Sequence, residues 1–255
     1  MRNTWIICRK ELDSYFVSPV AYILLTMFGL IFGFFFWNSL GYFVIAGMEM
    51  QMRGQSFPMN LNEQVIRPLL ANVSVVGLFF IPMMSMRLFA EEKRTGTIEL
   101  LATSPVRDLE IIIGKWLAAM LLYSCLLLFT ALNFAFLFKY GNPDWKPLAV
   151  GYLGLLLQAG ALLAIGTFIS TLTKNQIIAG AVTFGACLLL WVLAWVSGYE
   201  TATWARALSY MSVFTHFESF GRGVLDTKDA VFYLTVIFLG LFFTARSMES
   251  LRWRF

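Results

Sequence analysis

The chain has 255 residues, of which 59% are hydrophobic, 16% aromatic and only 13% charged, with a mean hydropathy of +0.72. Soluble domains carry about 25% charged residues, so this composition argues against a soluble fold and against disorder. A net charge of +4 without a long basic cluster argues against nucleic-acid binding, and Cys8, Cys125 and Cys187 have no paired spacing for a disulfide framework or a zinc motif.

Residues 4–17 read as an amphipathic helix. Trp5, Cys8, Leu12, Tyr15 and Phe16 fall on one side, while Arg9, Lys10, Asp13 and Ser14 fall largely elsewhere. That is the pattern of an elbow lying in a membrane interface. It serves either as an anchor for the next helix or as an edge bordering a cytoplasmic partner. Ser18-Pro19 then supply an N-cap and a first helical position.

A helix needs about 20 apolar residues to cross about 30 Å of hydrocarbon. Runs free of Asp, Glu, Lys and Arg lie at about 20–48, 68–86, 116–138, 147–173, 177–198 and 230–245. They are continuously apolar and do not alternate, so they predict helices and not a barrel. The first run is too long for a signal-peptide core and follows Glu11 and Asp13, so it reads as a retained span. The expected fold is an all-α polytopic membrane protein, one domain over 1–255 with six transmembrane helices. About 12 of the 19 Lys and Arg fall on the side that holds both termini, which places both termini in the cytoplasm. In the first span, Gly29 and Gly33 have the spacing that lets helices approach closely, either at a dimer contact or within one subunit.

The connection between spans two and three is the most informative stretch. A charged tail, Glu91 to Arg94, ends at Gly96, where glycine accepts a reversed backbone. Thr97 can cap a short helix over about 97–103 with Glu99 in its first turn, before Ser104-Pro105 leads into span three. A helix of one or two turns is unstable alone, so the segment 91–103 must dock, on its own bundle or on a cytoplasmic protein. Between spans five and six, residues 199–229 are too long for a plain turn and predict short helices dipping part-way into the membrane. Phe214, His216, Phe217 and Phe220 there form a candidate outer gate or an interfacial aromatic belt, with His216 within reach of Glu218 or Asp226.

A phosphate-binding loop is ruled out at its nearest approximation, because Gly114-Lys115 precedes Trp116 and position 109 is Leu109. The six runs hold no ionisable residue, so an ion-coupled carrier is disfavoured. Their amides Asn38, Asn72, Asn133 and Gln158 are expected to bridge helices. A lone histidine and no His/Cys/Asp cluster argue against a metal site and against an enzyme. The energy source is expected outside the chain.

Several segments in order carry a family resemblance: Arg9-Lys10-Glu11 with Ser18-Pro19-Val20-Ala21-Tyr22, and Glu92 with Gly96-Thr97, Glu99, Leu101, Ser104-Pro105 and Gly114-Lys115. Leu172-Thr173-Lys174-Asn175-Gln176 and His216-Phe217-Glu218-Ser219-Phe220 with Arg222-Gly223-Val224, Asp226-Thr227 and Asp229 complete the set. Together they resemble ABC-2 type transporter permeases, in particular the gliding-motility-associated branch. The resemblance implies a multi-pass permease of the bacterial cytoplasmic membrane, an exporter subunit without catalysis of its own. Its partners would be two cytoplasmic ATPase subunits, which hold the ATP and Mg, and a second permease subunit, identical or homologous, with room for an auxiliary membrane or periplasmic protein. Glu91, Glu92, Gly96, Thr97, Ile98, Glu99, Leu100 and Leu101 would form the ATPase-coupling segment. Arg9, Lys10, Lys174 and Asn175 would make a secondary cytoplasmic contact. The rival reading is a membrane anchor or scaffold for a cytoplasmic ATPase that moves no substrate.

Overall fold

A computed structural model describes residues 2–54, 60–98, 106–195 and 203–252. In chain order the helices are α1 (Arg2–Val17), α2 (Val20–Met52), a π turn (Asn62–Ile66) running into α3 (Arg67–Ser85), α4 (Arg87–Thr95), α5 (Asp108–Tyr140), α6 (Trp145–Leu172), α7 (Gln176–Val192), α8 (Thr203–Tyr210), α9 (Phe217–Gly221) and α10 (Thr227–Arg252). No strand occurs among the described residues.

Among the described residues, six stretches are long and apolar enough to cross a membrane: Val20–Met52, Asn62–Thr95, Asp108–Tyr140, Trp145–Leu172, Gln176–Trp195 and Thr227–Ser250. All six expected spans are therefore present, most of them longer than the uncharged runs. The helices continue because charged residues at their ends find partners. Arg67 pairs with Glu63 one turn back, and Arg246 with Glu249. The expected fifth span reaches 198, and residues 196–198 lie outside the described residues.

Helices α3 and α6 form the middle of the bundle, while α2, α7 and α10 turn mostly apolar side chains outward. Close crossings are made at small residues, as expected where lipid removes the usual hydrophobic drive between helices. A Cβ on Gly240 of α10 would lie 2.9 Å from the backbone carbon of Ala164 in α6. One on Gly166 would lie 2.2 Å from Ser85 Oγ, where α3 and α7 both meet α6. A Cβ on Gly29 would lie 3.8 Å from Phe129 Cδ1, and one on Gly33 would meet nothing within 4 Å. Of the spans' amides, Gln158 does bridge helices, accepting from Ser74 Oγ at 2.8 Å, whereas Asn38 and Asn133 donate to carbonyls of their own helices.

The alternation of spans gives the bundle two ends. At one end lie α1, α4, the start of α5 and the α6–α7 turn; at the other lie α8, α9 and the start of α10.

Candidate functional site

Helix α3 does not run smoothly into α4. Pro82 lies inside α3, and a single turn residue, Met86, separates that helix from α4. Restarting at Arg87 leaves early backbone N–H groups without partners in their own helix. Ser170 of α6 satisfies them: its Oγ accepts from Phe89 N–H and Ala90 N–H, each at 3.0 Å, and donates to the Met86 carbonyl at 3.1 Å. At the other end of α4, the Lys93 ammonium donates to the Thr171 carbonyl near the C-terminus of α6, where the helix dipole favours a cation. Helix α4 is thus held at both ends by α6.

Helix α1 crosses α5 at Gly114. A Cβ there would sit 2.9 Å from the Thr4 carbonyl oxygen and 3.0 Å from Ile7 Cβ, so only glycine admits this approach without displacing α1. Asn3 adds a hydrogen bond to Glu110 at 3.1 Å. Tyr15 donates to the Met84 carbonyl at 2.6 Å and lies under the Arg87 guanidinium, 5.3 Å from the ring centroid. The inward face of α1 is therefore Cys8, Glu11 and Tyr15. Trp5, expected on the apolar face, points away and is 62% exposed, because α1 buries its side against α5 and the α3–α4 joint. Burial, and then the neighbouring Glu11 carboxylate, push the Cys8 thiol above its usual range.

These contacts enclose Lys115 of α5. Its side chain is 2% exposed, and its ammonium lies 2.6 Å from Glu11 Oε1 and 2.9 Å from Glu92 Oε1, 5.3 Å from the Phe89 ring centroid. One cation therefore joins three helices: α1 through Glu11, α4 through Glu92 and α5 through itself. The cluster carries two carboxylates against one ammonium. Removing one partner of such a buried pair costs about 3–5 kcal/mol. This clasp was not anticipated. Counting uncharged residues begins the third span at residue 116 and leaves Lys115 in a connection. Helical phase held the signal, because Lys115 shares its face with the buried Ile111, Ala118 and Leu122.

The residues proposed for coupling divide by position. Glu91 bonds Arg87 at 3.1 Å and stays partly exposed. Glu92 faces inward to Lys115, so it supports the segment from behind. Gly96 ends α4 in the left-handed region at φ 75°, as a C-terminal glycine does. Thr97 is exposed and Ile98 packs partly against the apolar core. Glu99, Leu100 and Leu101, with most of the expected 97–103 helix, lie outside the described residues. Arg9, Lys10 and Lys174 are exposed at this end, and Asn175 caps α7 by accepting from Ile177 N–H at 2.9 Å.

At the far end, Phe220 is buried against Gly154 of α6, where an added Cβ would lie 2.4 Å from Phe220 Cβ, and Phe217 is buried beside it. Phe214 is partly buried. His216 meets neither Glu218 nor Asp226. Its partner is Asp229 at 2.7 Å, because the first turn of α10 carries that carboxylate inward on the face of Tyr233. Asp226 instead pairs with Lys228 at 3.0 Å, whose hydrogen bonds hold the Asp226 carboxyl below its ordinary range.

A family model described as ABC-2 family transporter protein matches residues 5–229. At 25% identity over 169 residues, 65% of this chain and 44% of the relative, the chain is similar to the "Probable multidrug ABC transporter permease YbhR" of Escherichia coli (strain K12). The protein of that name in Escherichia coli O157:H7 matches equally. The matched stretch spans less than half the length of these relatives.

Proposed function

The chain belongs to the ABC-2 family of transporter membrane proteins, and from that membership we propose that it is the permease subunit of an exporter in a bacterial cytoplasmic membrane. The Lys115 end faces the cytoplasm, where most Lys and Arg gather. Two ATPase subunits, holding ATP and Mg, engage the loop after Gly96, and a second permease subunit completes the transporter. The gliding-motility-associated branch is the reading favoured by the N-terminal Arg9-Lys10-Glu11 and Ser18-Pro19 segments.

The observation that carries the coupling role is the buried clasp on Lys115. The connection from α4 to α5 leaves α4 at Gly96 and enters α5 after Arg107, and both helices are fastened to the same ammonium. A pull on the loop therefore moves α4, α5 and α1 as one piece, and through α4 and α5 it reaches two spans. For ATP to drive the change, the partner must bind one permease conformation more tightly than the other. A connection docked outside and clasped from within meets that requirement with few parts.

The test is purification of the intact chain with its neighbours, followed by Gly96→Pro in the purified complex. Proline cannot adopt the positive φ of Gly96. We expect a P-loop ATPase to co-purify and its hydrolysis in the Gly96→Pro complex to fall to the rate of the isolated ATPase. Absence of any ATPase contradicts the permease reading. Undiminished stimulation contradicts the role of the loop. A complex that hydrolyses ATP yet extrudes nothing selects the scaffold reading.

A further inference from the structure

His216 is the single histidine of the chain and is 5% exposed. Both of its ring nitrogens face acceptors: Nδ1 lies 2.7 Å from Asp229 Oδ1, and Nε2 lies 2.9 Å from the Tyr210 carbonyl oxygen. A neutral imidazole has one N–H and can serve only one of them. The Tyr210 bond requires a proton on Nε2, and the Asp229 bond requires a second proton, held by Nδ1 or by the carboxyl. We infer that His216 and Asp229 form a proton-binding site that fastens the α8–α9 segment to α10.

The surroundings make that second proton consequential. The imidazole is stacked on Phe232, ring centroids 3.9 Å apart, with the Tyr210 ring edge-on at 4.9 Å. The nearest cations are already paired, and of these Lys228 also lies within electrostatic reach of Asp229. Lys228 is engaged by Asp226 and Arg222 by Glu218, while the Tyr233 hydroxyl donates to the Val213 carbonyl at 2.7 Å. Asp229 Oδ2 has no hydrogen-bond partner among the described residues. Once the shared proton leaves, the neutral imidazole can donate to only one of its two acceptors, so either the Asp229 carboxylate or the Tyr210 carbonyl faces a lone pair, and the pair passes from neutral to one buried negative charge. A cavity of about 390 Å³, bordered by Ser209, Ser219, Arg222 and Lys228, adjoins the pair and gives the proton a route to water. Raising the pH therefore releases the proton and loosens residues 210–221 from α10. The inference does not depend on the permease reading or on which way the bundle faces.

The experiment uses the untagged full chain in lipid nanodiscs, open to buffer on both faces. Histidine-selective ¹⁵N labelling reports one imidazole and needs no assignment. Amide hydrogen exchange is measured on the same samples and expressed as protection factors, so that the intrinsic pH dependence of exchange divides out. Between about pH 5.5 and about pH 9 the account expects loss of the imidazole proton to coincide with a drop of about tenfold or more in the protection of residues 210–221. Asp229→Asn is the decisive variant. Its amide can donate to a neutral Nδ1 while Nε2–H still serves Tyr210, so both bonds survive without the extra proton. Protection in D229N should stay high and flat across the range. His216→Asn, whose amide donates to Asp229 at any pH, should also lose the step. A flat wild-type profile, or a step that persists in D229N, overturns the proposal.

Discussion

The two ends of the bundle solve the same problem with different parts. Each buries an ionisable side chain one residue outside an uncharged run, Lys115 before 116 and Asp229 before 230. At the Lys115 end two carboxylates share one ammonium and three helices converge on it. At the His216 end one carboxylate meets one imidazole inside an aromatic wall, and packing of Phe217 and Phe220 supplies much of the cohesion. The first arrangement depends on direct ion pairs from one ammonium to two helices. The second depends on a proton that can leave. A joint built to transmit force suits the first, and a fastening that responds to its surroundings suits the second.

The comparison is most sharply tested at Lys115. Lys115→Met leaves Glu11 and Glu92 buried without their cation and should destabilise the chain by about 3–5 kcal/mol, read as a lowered unfolding midpoint in detergent. Adding Glu11→Gln and Glu92→Gln should restore most of the loss. A smaller effect is expected from Gly114→Ala. Its Cβ would press on the Thr4 carbonyl at 2.9 Å, an overpacking of about 1–3 kcal/mol. Cys8 is buried in the native chain and its raised pKa keeps it a thiol, so it should label slowly with maleimide at neutral pH and faster once α1 is displaced. The smallest change belongs to the far end. The buried Thr215 Oγ1 has no hydrogen-bond partner among the described residues, so Thr215→Val should alter the midpoint within about 0.5 kcal/mol. A large loss there would show that the far end depends on polar contacts after all.

How much of this was legible in the sequence follows the physics of each signal. The six spans were, because a continuous apolar run admits one structure in lipid. The left-handed stop at Gly96 was also readable, since a glycine after a charged helical tail has few other uses. The clasp was missed because counting charge-free residues treats the first charge as the end of a span. Lys115 and Asp229 continue their helices with the charge turned inward, and Glu11 serves in the sequence as a mark against a signal peptide and as part of the Arg9-Lys10-Glu11 resemblance, not as a buried partner. Its spacing of three from Cys8 and four from Tyr15 put it on the buried face. Ser170 offered no local cue, since its role as a cap for α4 comes from a residue some eighty positions away.

The central claim is that α4 and α5 move as one body because Lys115 holds them. Spin labels at Arg94 and Leu109, both exposed, measure the distance between those helices in the purified complex, with labelled chain diluted in unlabelled chain. The account predicts the same narrow distance with and without ATP, and a broad one once Lys115→Met removes the clasp. A distance that shifts with nucleotide while Lys115 is intact would contradict it.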